Sequence, residues 1–304
     1  MKTASIDIGS NTVILLLAEI VNKKIISEEN IFRIGKLGQN LLAGSEISSE
    51  KTLRLFSILD EFYKIIRKEK CDTIHITATN ALRIASNGKE IAESIFKKYG
   101  TKVDIITGDV EAGYSFTGAT YNYSKPSHSN VVIDIGGGST EIIIGSKEKI
   151  LFKNSFQIGT VSLTDKFISA SKPVDDEIVQ MQKFTNKIFE RLENFSQIKL
   201  TAIGVGGTPT SLSGMIRNIY KYDESKIEGK IINKEEIDIL SNKLSKMTAT
   251  EILERYKEMV MGRNEFIFAG SLILKILLEK LNLNELIVSS KGLRYGVIYS
   301  KYLL

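Results

Sequence analysis

Disulfides are the first thing this chain does without. Its single cysteine, Cys71, cannot make an internal bridge or a cysteine-based zinc cluster, and it suits a reducing compartment. Histidine is nearly as scarce: His75 and His128 are the whole supply, and both read as ordinary residues, one in a strand and one in a linker. Long apolar runs are missing too. The stretch 13–18 falls far short of the roughly 18 to 20 residues that a membrane span requires, and Asp7 interrupts the first apolar stretch too early for a secretory signal. No membrane partner is therefore expected, and the cytoplasm is the expected location. Neither sign of charge is in large excess. The 41 Lys plus Arg against 36 Asp plus Glu leave +5, which suits an anionic ligand without demanding one. Most lysines are scattered at helical spacing, as on a solvated surface, and without basic and aromatic residues interleaved no nucleic-acid partner is expected.

What is present is enough apolar material for about two domains: 42% of 304 residues are hydrophobic. Residues 3–19 read as a β-hairpin broken by the polar turn Asp7-Ile-Gly-Ser-Asn-Thr. In 48–70, Leu53, Phe56, Leu59, Phe62, Ile65 and Ile66 recur at three and four, and Ser48 provides a capping start, so a helix is predicted. Strands at 73–77 and 103–106 and helices at 88–99 and 110–119 follow, which makes the fold class α/β. A serine-rich linker, 121–130, contains Pro126. The pattern then restarts: strand 131–135, a turn at Gly136-Gly137-Gly138-Ser139, and strands 141–144 and 150–157. Asp134-Ile-Gly-Gly-Gly-Ser-Thr repeats the device at Asp7, so the chain reads as an internal duplication with domains at 1–124 and 125–285. Helices at 174–194, 234–245 and 263–281, strands at 200–203 and 285–289, and a last helix at 292–302 complete the prediction. The 174–194 helix is also a candidate homodimer face.

Three small-residue turns follow strands: Gly9-Ser10-Asn11, Gly136-Gly137-Gly138-Ser139, and Gly204-Val205-Gly206-Gly207-Thr208. Glycine lets successive backbone N–H groups point into one concavity, which can hold phosphate. No Lys followed by Ser or Thr closes a glycine loop, so a P-loop is excluded, and Gly136-Gly137-Gly138 returns into a strand, unlike a dinucleotide fingerprint. A hairpin type of phosphate site is left. Asp7 and Asp134 precede two of the turns, where a carboxylate beside phosphate needs a cation between them. Asp134 with Glu141 would suffice for magnesium, or a similar divalent ion such as manganese. Glu111, in Gly108-Asp-Val-Glu-Ala at a predicted helix start, is a candidate to orient and deprotonate water, although a carboxylate there also simply favours the helix dipole. Arg83 is a candidate contact for an anionic chain.

These motifs together resemble the exopolyphosphatase/guanosine pentaphosphate phosphohydrolase (Ppx/GppA) family. The resemblance is carried by Ser5-Ile-Asp-Ile-Gly-Ser-Asn-Thr, Arg33-Ile-Gly-Lys-Leu-Gly, Ala78-Thr-Asn-Ala-Leu-Arg, Ile106-Thr-Gly-Asp-Val-Glu-Ala, Val132-Ile-Asp-Ile-Gly-Gly-Gly-Ser-Thr-Glu, Gly204-Val-Gly-Gly-Thr and Ser289-Ser-Lys-Gly-Leu-Arg-Tyr-Gly, in family order. It implies the actin-like ATPase superfold, two ribonuclease-H-like domains with a cleft between them, and residues from about 286 returning to the first. It implies Glu111 as general base, metal near Asp134 and Glu141, and phosphate on the glycine turns. Many relatives carry Arg or His after the first turn, where this chain has Val13-Ile14, so that basic contact is either missing or supplied by Lys36 or Arg83. The implied substrate is inorganic polyphosphate, with guanosine pentaphosphate as the nearest rival. An actin-like ATPase or kinase and a silent polyphosphate-binding protein are the more distant ones.

Overall fold

The computed structural model describes residues 1–39, 41–125, 128–146 and 148–304. Two compact units divide it: Met1–Gly118 with Lys291–Leu304, and Ala119–Ser290.

In the first unit, strands β1 (Lys2–Ile8), β2 (Thr12–Val21) and β3 (Lys24–Ile34) form an antiparallel meander. Strands β4 (Thr73–Ala78) and β5 (Val103–Ile105) extend it in parallel, giving the order β3-β2-β1-β4-β5. Because side chains alternate along a strand, central β1 turns Ala4, Ile6 and Ile8 into the core and Thr3, Ser5 and Asp7 to the other face. Helix α1 (Ser49–Lys68) starts where the Ser48 side chain accepts the Lys51 N–H, and buries Leu55, Leu59, Phe62 and Ile66 in that core. Helices α2 (Asn80–Ile84), α3 (Gly88–Tyr99) and α4 (Gly108–Thr120) complete the first stretch. Strand β3 is absent from the sequence-based prediction. It is an edge strand exposed over most of its length, and Glu28, Glu29 and Asn30 interrupt its apolar alternation.

The second unit repeats the arrangement. Strands β6 (Ser129–Ile135), β7 (Thr140–Gly145) and β8 (Ile150–Phe156) form the meander, and helices α5 (Thr160–Phe167) and α6 (Asp175–Ile188) precede β9 (Leu200–Val205). Helices α7 (Gly207–Ile216) and α8 (Glu224–Ile227), strand β10 (Ile231–Asn233), helices α9 (Lys234–Leu244), α10 (Ala249–Tyr256) and α11 (Ile267–Lys280), and strand β11 (Glu285–Ser289) follow. The sheet order is β10-β11-β9-β6-β7-β8, with β6, β9 and β11 parallel and β10 an added antiparallel edge. Taking β1 with β6, β2 with β7, β3 with β8, β4 with β9 and β5 with β11, every pairing has the same sense in both units. The molecule is therefore α/β, a duplicated ribonuclease-H-like unit of the actin-like ATPase superfold.

Several expected boundaries shift. The predicted helix 174–194 is α6 followed by a 3₁₀ segment, Glu190–Phe195. Strand β11 belongs to the second sheet, so the chain enters the first unit at Lys291 rather than at about 286, and it leaves at Gly118 rather than at 124. Pro126, in the expected linker, lies outside the described residues. The last segment forms α12 (Leu293–Ile298), widened to π geometry over Tyr299–Leu303. It packs over β1 and β2. Glycine permits its close approach to α4: a β-carbon on Gly118 would stand 2.0 Å from the Gly292 carbonyl oxygen, and one on Gly296 would stand 1.8 Å from that of Tyr114. Among the described residues no helix is long and apolar enough to cross a membrane.

Candidate active site

Both hairpins close with the same bond. The Gly9 N–H donates to the Thr12 carbonyl at 3.0 Å, and the Gly136 N–H to the Ser139 carbonyl at 2.9 Å. In each, the Asp is paired with the residue seven positions on: Asp7 with Ile14, Asp134 with Glu141. The surroundings that brace the turns differ. Gly35 and Lys36 donate to the Asn11 carbonyl and Gly38 to that of Ser10, which lays the Arg33-Ile-Gly-Lys-Leu-Gly motif along the first turn. At the second turn the Thr160 N–H at the start of α5 donates to the Gly136 carbonyl, and those of Val161 and Ser162 donate to the Gly137 carbonyl. Gly159 lies so close that a β-carbon there would meet the Gly137 carbonyl oxygen at 2.5 Å. Carbonyls are thus drawn backward into the scaffold. Among the described residues the N–H groups of Ser10, Asn11, Gly137 and Gly138 donate no hydrogen bond, as in a backbone nest awaiting an anion.

The third turn is not a hairpin, contrary to the expectation of one common type. Strand β9 ends at Val205, Gly206 takes the left-handed φ of 83°, and Gly207 begins α7. A β-carbon on Gly206 would stand 2.5 Å from Asp134 Oδ1, and one on Gly207 would stand 2.4 Å from Arg263 Nη2. The two glycines therefore lie between a carboxylate and a guanidinium. Among the described residues the Arg263 guanidinium has no hydrogen-bond or ion-pair partner, and burial pushes its pKa down. Arg263 is the residue that sequence reading missed: it precedes α11, far along the chain from Gly207, and no local pattern marks it. Thr208, expected on phosphate, is buried, and its hydroxyl donates to the Ile135 carbonyl at 2.8 Å, tying α7 to β6.

Directly opposed carboxylates on neighbouring strands repel, so the Asp134 and Glu141 pair invites a cation. Glu141 Oε1 accepts from the Ser139 and Ser155 hydroxyls, each at 2.7 Å, which fixes its orientation. The chemistry of a paired carboxylate set suits magnesium, which is seldom caged by protein ligands alone. Among the described residues no group of three or more His, Cys, Asp or Glu is gathered for a metal.

In the first unit Glu111 lies in the opening turn of α4, its N–H donating to the Thr107 carbonyl at 2.9 Å. Arg83 Nη1 donates to Glu111 Oε2 at 2.8 Å and to the Ile106 carbonyl at 2.9 Å. Arg83 is thus engaged in holding the carboxylate, a partnership not foreseen from sequence. Asp7 shares this neighbourhood. Burial raises its carboxyl from 3.8 to about 7; Arg294 opposes the rise and the Glu111 charge adds to it. Among the described residues Asp7 Oδ1 and Ser5 Oγ are buried without a hydrogen-bond partner.

A statistical model described as the Ppx/GppA phosphatase family matches residues 17–304. The chain is similar to a crystal structure of the Aquifex aeolicus Ppx/GppA phosphatase, with 32% identity, a TM-score of 0.88 and complete coverage of both chains. It is 30% identical over 97% of its length to the bifunctional 3-dehydroquinate synthase/phosphatase of Fusobacterium nucleatum, of which it spans 46%. It is 25% identical to Exopolyphosphatase 2 of Mycobacterium tuberculosis over 98% of each chain. The chain belongs to the Ppx/GppA phosphatase family, and it is a phosphate-releasing hydrolase.

Proposed function

We propose that the protein is an exopolyphosphatase, removing the terminal phosphoryl group of inorganic polyphosphate. The observation that carries the reading is Glu111, a carboxylate held in place by Arg83 at a helix start, in a chain that matches an exopolyphosphatase of equal extent. In this reaction water attacks the terminal phosphorus in line with the anhydride. A new P–O bond forms, the bond to the bridging oxygen breaks, and the water proton passes to the Glu111 carboxylate. The proton on Glu111 then leaves to solvent and the chain is shorter by one phosphate. Arg83, donating to Oε2, keeps the carboxylate oriented through this exchange.

Phosphate contacts are assigned within each unit. The free N–H groups of Gly137 and Gly138 and the unpaired Arg263 guanidinium bind phosphate oxygens, and Ser10 and Asn11 do the same in the first unit. Asp134 and Glu141 are assigned magnesium, with Asp7 as a further candidate ligand; the ion when bound supplies charge neutralisation for the phosphates. Guanosine pentaphosphate, the other substrate in the family name, requires the same phosphate groups plus a reader for guanine.

The test is phosphate release by the purified protein from polyphosphates of defined length, compared with guanosine pentaphosphate and ATP. The largest kcat/KM is expected on polyphosphate. Faster turnover of guanosine pentaphosphate would reassign the substrate, and preference for ATP would overturn the reading.

A further inference from the structure

The start of α4 has a second face. A pocket of about 470 Å³ has Ile106, Thr107 and Val110, the residues just before Glu111, in its wall, within the size range of small-molecule sites. Lys102, just before β5, and Lys301, at the end of the chain, stand on its lining. Among the described residues neither ammonium has an ion pair or hydrogen bond. Asp104 is the single carboxylate of the lining. His75 shares a 2.7 Å hydrogen bond with the Tyr302 hydroxyl, and burial, then Lys301, push its imidazole below the ordinary value, so it stands neutral at pH 7. Tyr114, Val110 and Val297 supply flat and apolar surface. The lining therefore offers two unpaired cations against one anion, beside a platform for a ring.

Helices α4 and α12 meet through the backbone contacts at Gly118 and Gly296, so the space between them is preformed. The residues that line the pocket also anchor the catalytic side: the Thr107 carbonyl accepts the Glu111 N–H, and the Ile106 carbonyl accepts Arg83.

We propose that this pocket is a regulatory site for a small organic phosphate, a single dianionic phosphate joined to one ring. The phosphate sits between Lys102 and Lys301 and the ring lies on Tyr114 and Val110. Occupancy shifts the first turn of α4 and with it the carboxylate of Glu111. The binding half stands apart from the proposed reaction; the coupling half rests on Glu111 acting in it.

The experiment is calorimetric titration of the full chain with phenyl phosphate and with glucose 6-phosphate, alongside the double variant Lys102→Gln/Lys301→Gln. Both lysines are exposed and neither is assigned to catalysis, so the variant is expected to keep its melting temperature and basal rate. Binding of either probe at least tenfold weaker in the variant supports the site, and the better probe identifies the ring. No binding of either at millimolar concentration, or equal affinity in variant and parent, overturns it. For coupling, the parent's phosphate release changes at least twofold on saturation and the variant's does not. An unchanged parent rate with lysine-dependent binding overturns the coupling alone. Inactivity of the parent on every anhydride substrate would defeat the proposed function while leaving the calorimetry interpretable.

Discussion

In the first unit Asp7 stands opposite Ile14; in the second, at the same register, Asp134 stands opposite Glu141. The backbones agree down to the bond that closes each turn, and the two central strands keep the same alternation. The chemistry has nevertheless divided. One hairpin carries a lone, buried carboxyl raised to about 7; the other carries two carboxylates, one of them oriented by two serines. Both copies keep the scaffold and the first acid, and they differ in the cross-strand partner, the difference on which the proposed magnesium assignment rests. The Arg83–Glu111 pair is likewise a property of the first unit alone.

The severest way to break this division is Glu111→Gln, which keeps shape and removes the proton acceptor. Phosphate release should fall by about 10²- to 10⁴-fold with KM little changed. Steady-state kinetics on polyphosphate check it, and near-parental kcat would dismiss Glu111 as the base.

Next in size is the pH dependence of the lone acid. A carboxyl whose folded value is raised from 3.8 to about 7 is favoured in its protonated form by the fold. Its contribution is fully present below pH 3.8 and is lost as pH climbs through 7. In metal-free protein, Asp7→Asn should therefore be the more stable form above pH 7, by on the order of a few kcal/mol, and the advantage should vanish near pH 4. Urea unfolding at several pH values measures this, and a pH-independent difference would contradict the burial argument.

Copying the second hairpin's acid into the first sharpens the comparison. Ile14→Glu places a carboxylate opposite Asp7 without counterparts of Ser139 and Ser155, so a loss of about 1–3 kcal/mol is expected. Thermal melting with and without magnesium reads it out. Rescue by the ion would show that the pair itself, rather than its serines, makes a metal site. The mildest change, Ser155→Ala, removes one of two donors to Glu141 and should cost about 1 kcal/mol, seen as a several-fold rise in the magnesium needed for half-maximal rate.

Much of this was legible in the amino acids. The repeated Asp-Ile-Gly motif fixes the hairpins because alternation and small turn residues act locally, and α1 announces itself through the Ser48 cap and three-four spacing. Helix α7 does not: it is buried almost throughout and glycine- and serine-rich, so it presents no apolar stripe to read. Short α2, α5, α8 and α10 and the three-residue β10 offer too few turns or alternations for a period to show. Within the site, the carboxylates stand beside recognisable turns, whereas Arg263 and the Arg83–Glu111 pair depend on tertiary contacts between segments that carry no shared pattern.

The glycine contact between α4 and α12 also bears on the order in which the molecule is made. Residues 1–118 leave the ribosome before residues 119–290, yet α12, which packs over β1 and β2, is synthesised only after both. Since domains fold as units during synthesis, the unit translated first is the one completed last. Until residues 291–304 arrive, one face of its central strand stays open to solvent, and a stalled or truncated chain would expose that face to proteases and chaperones.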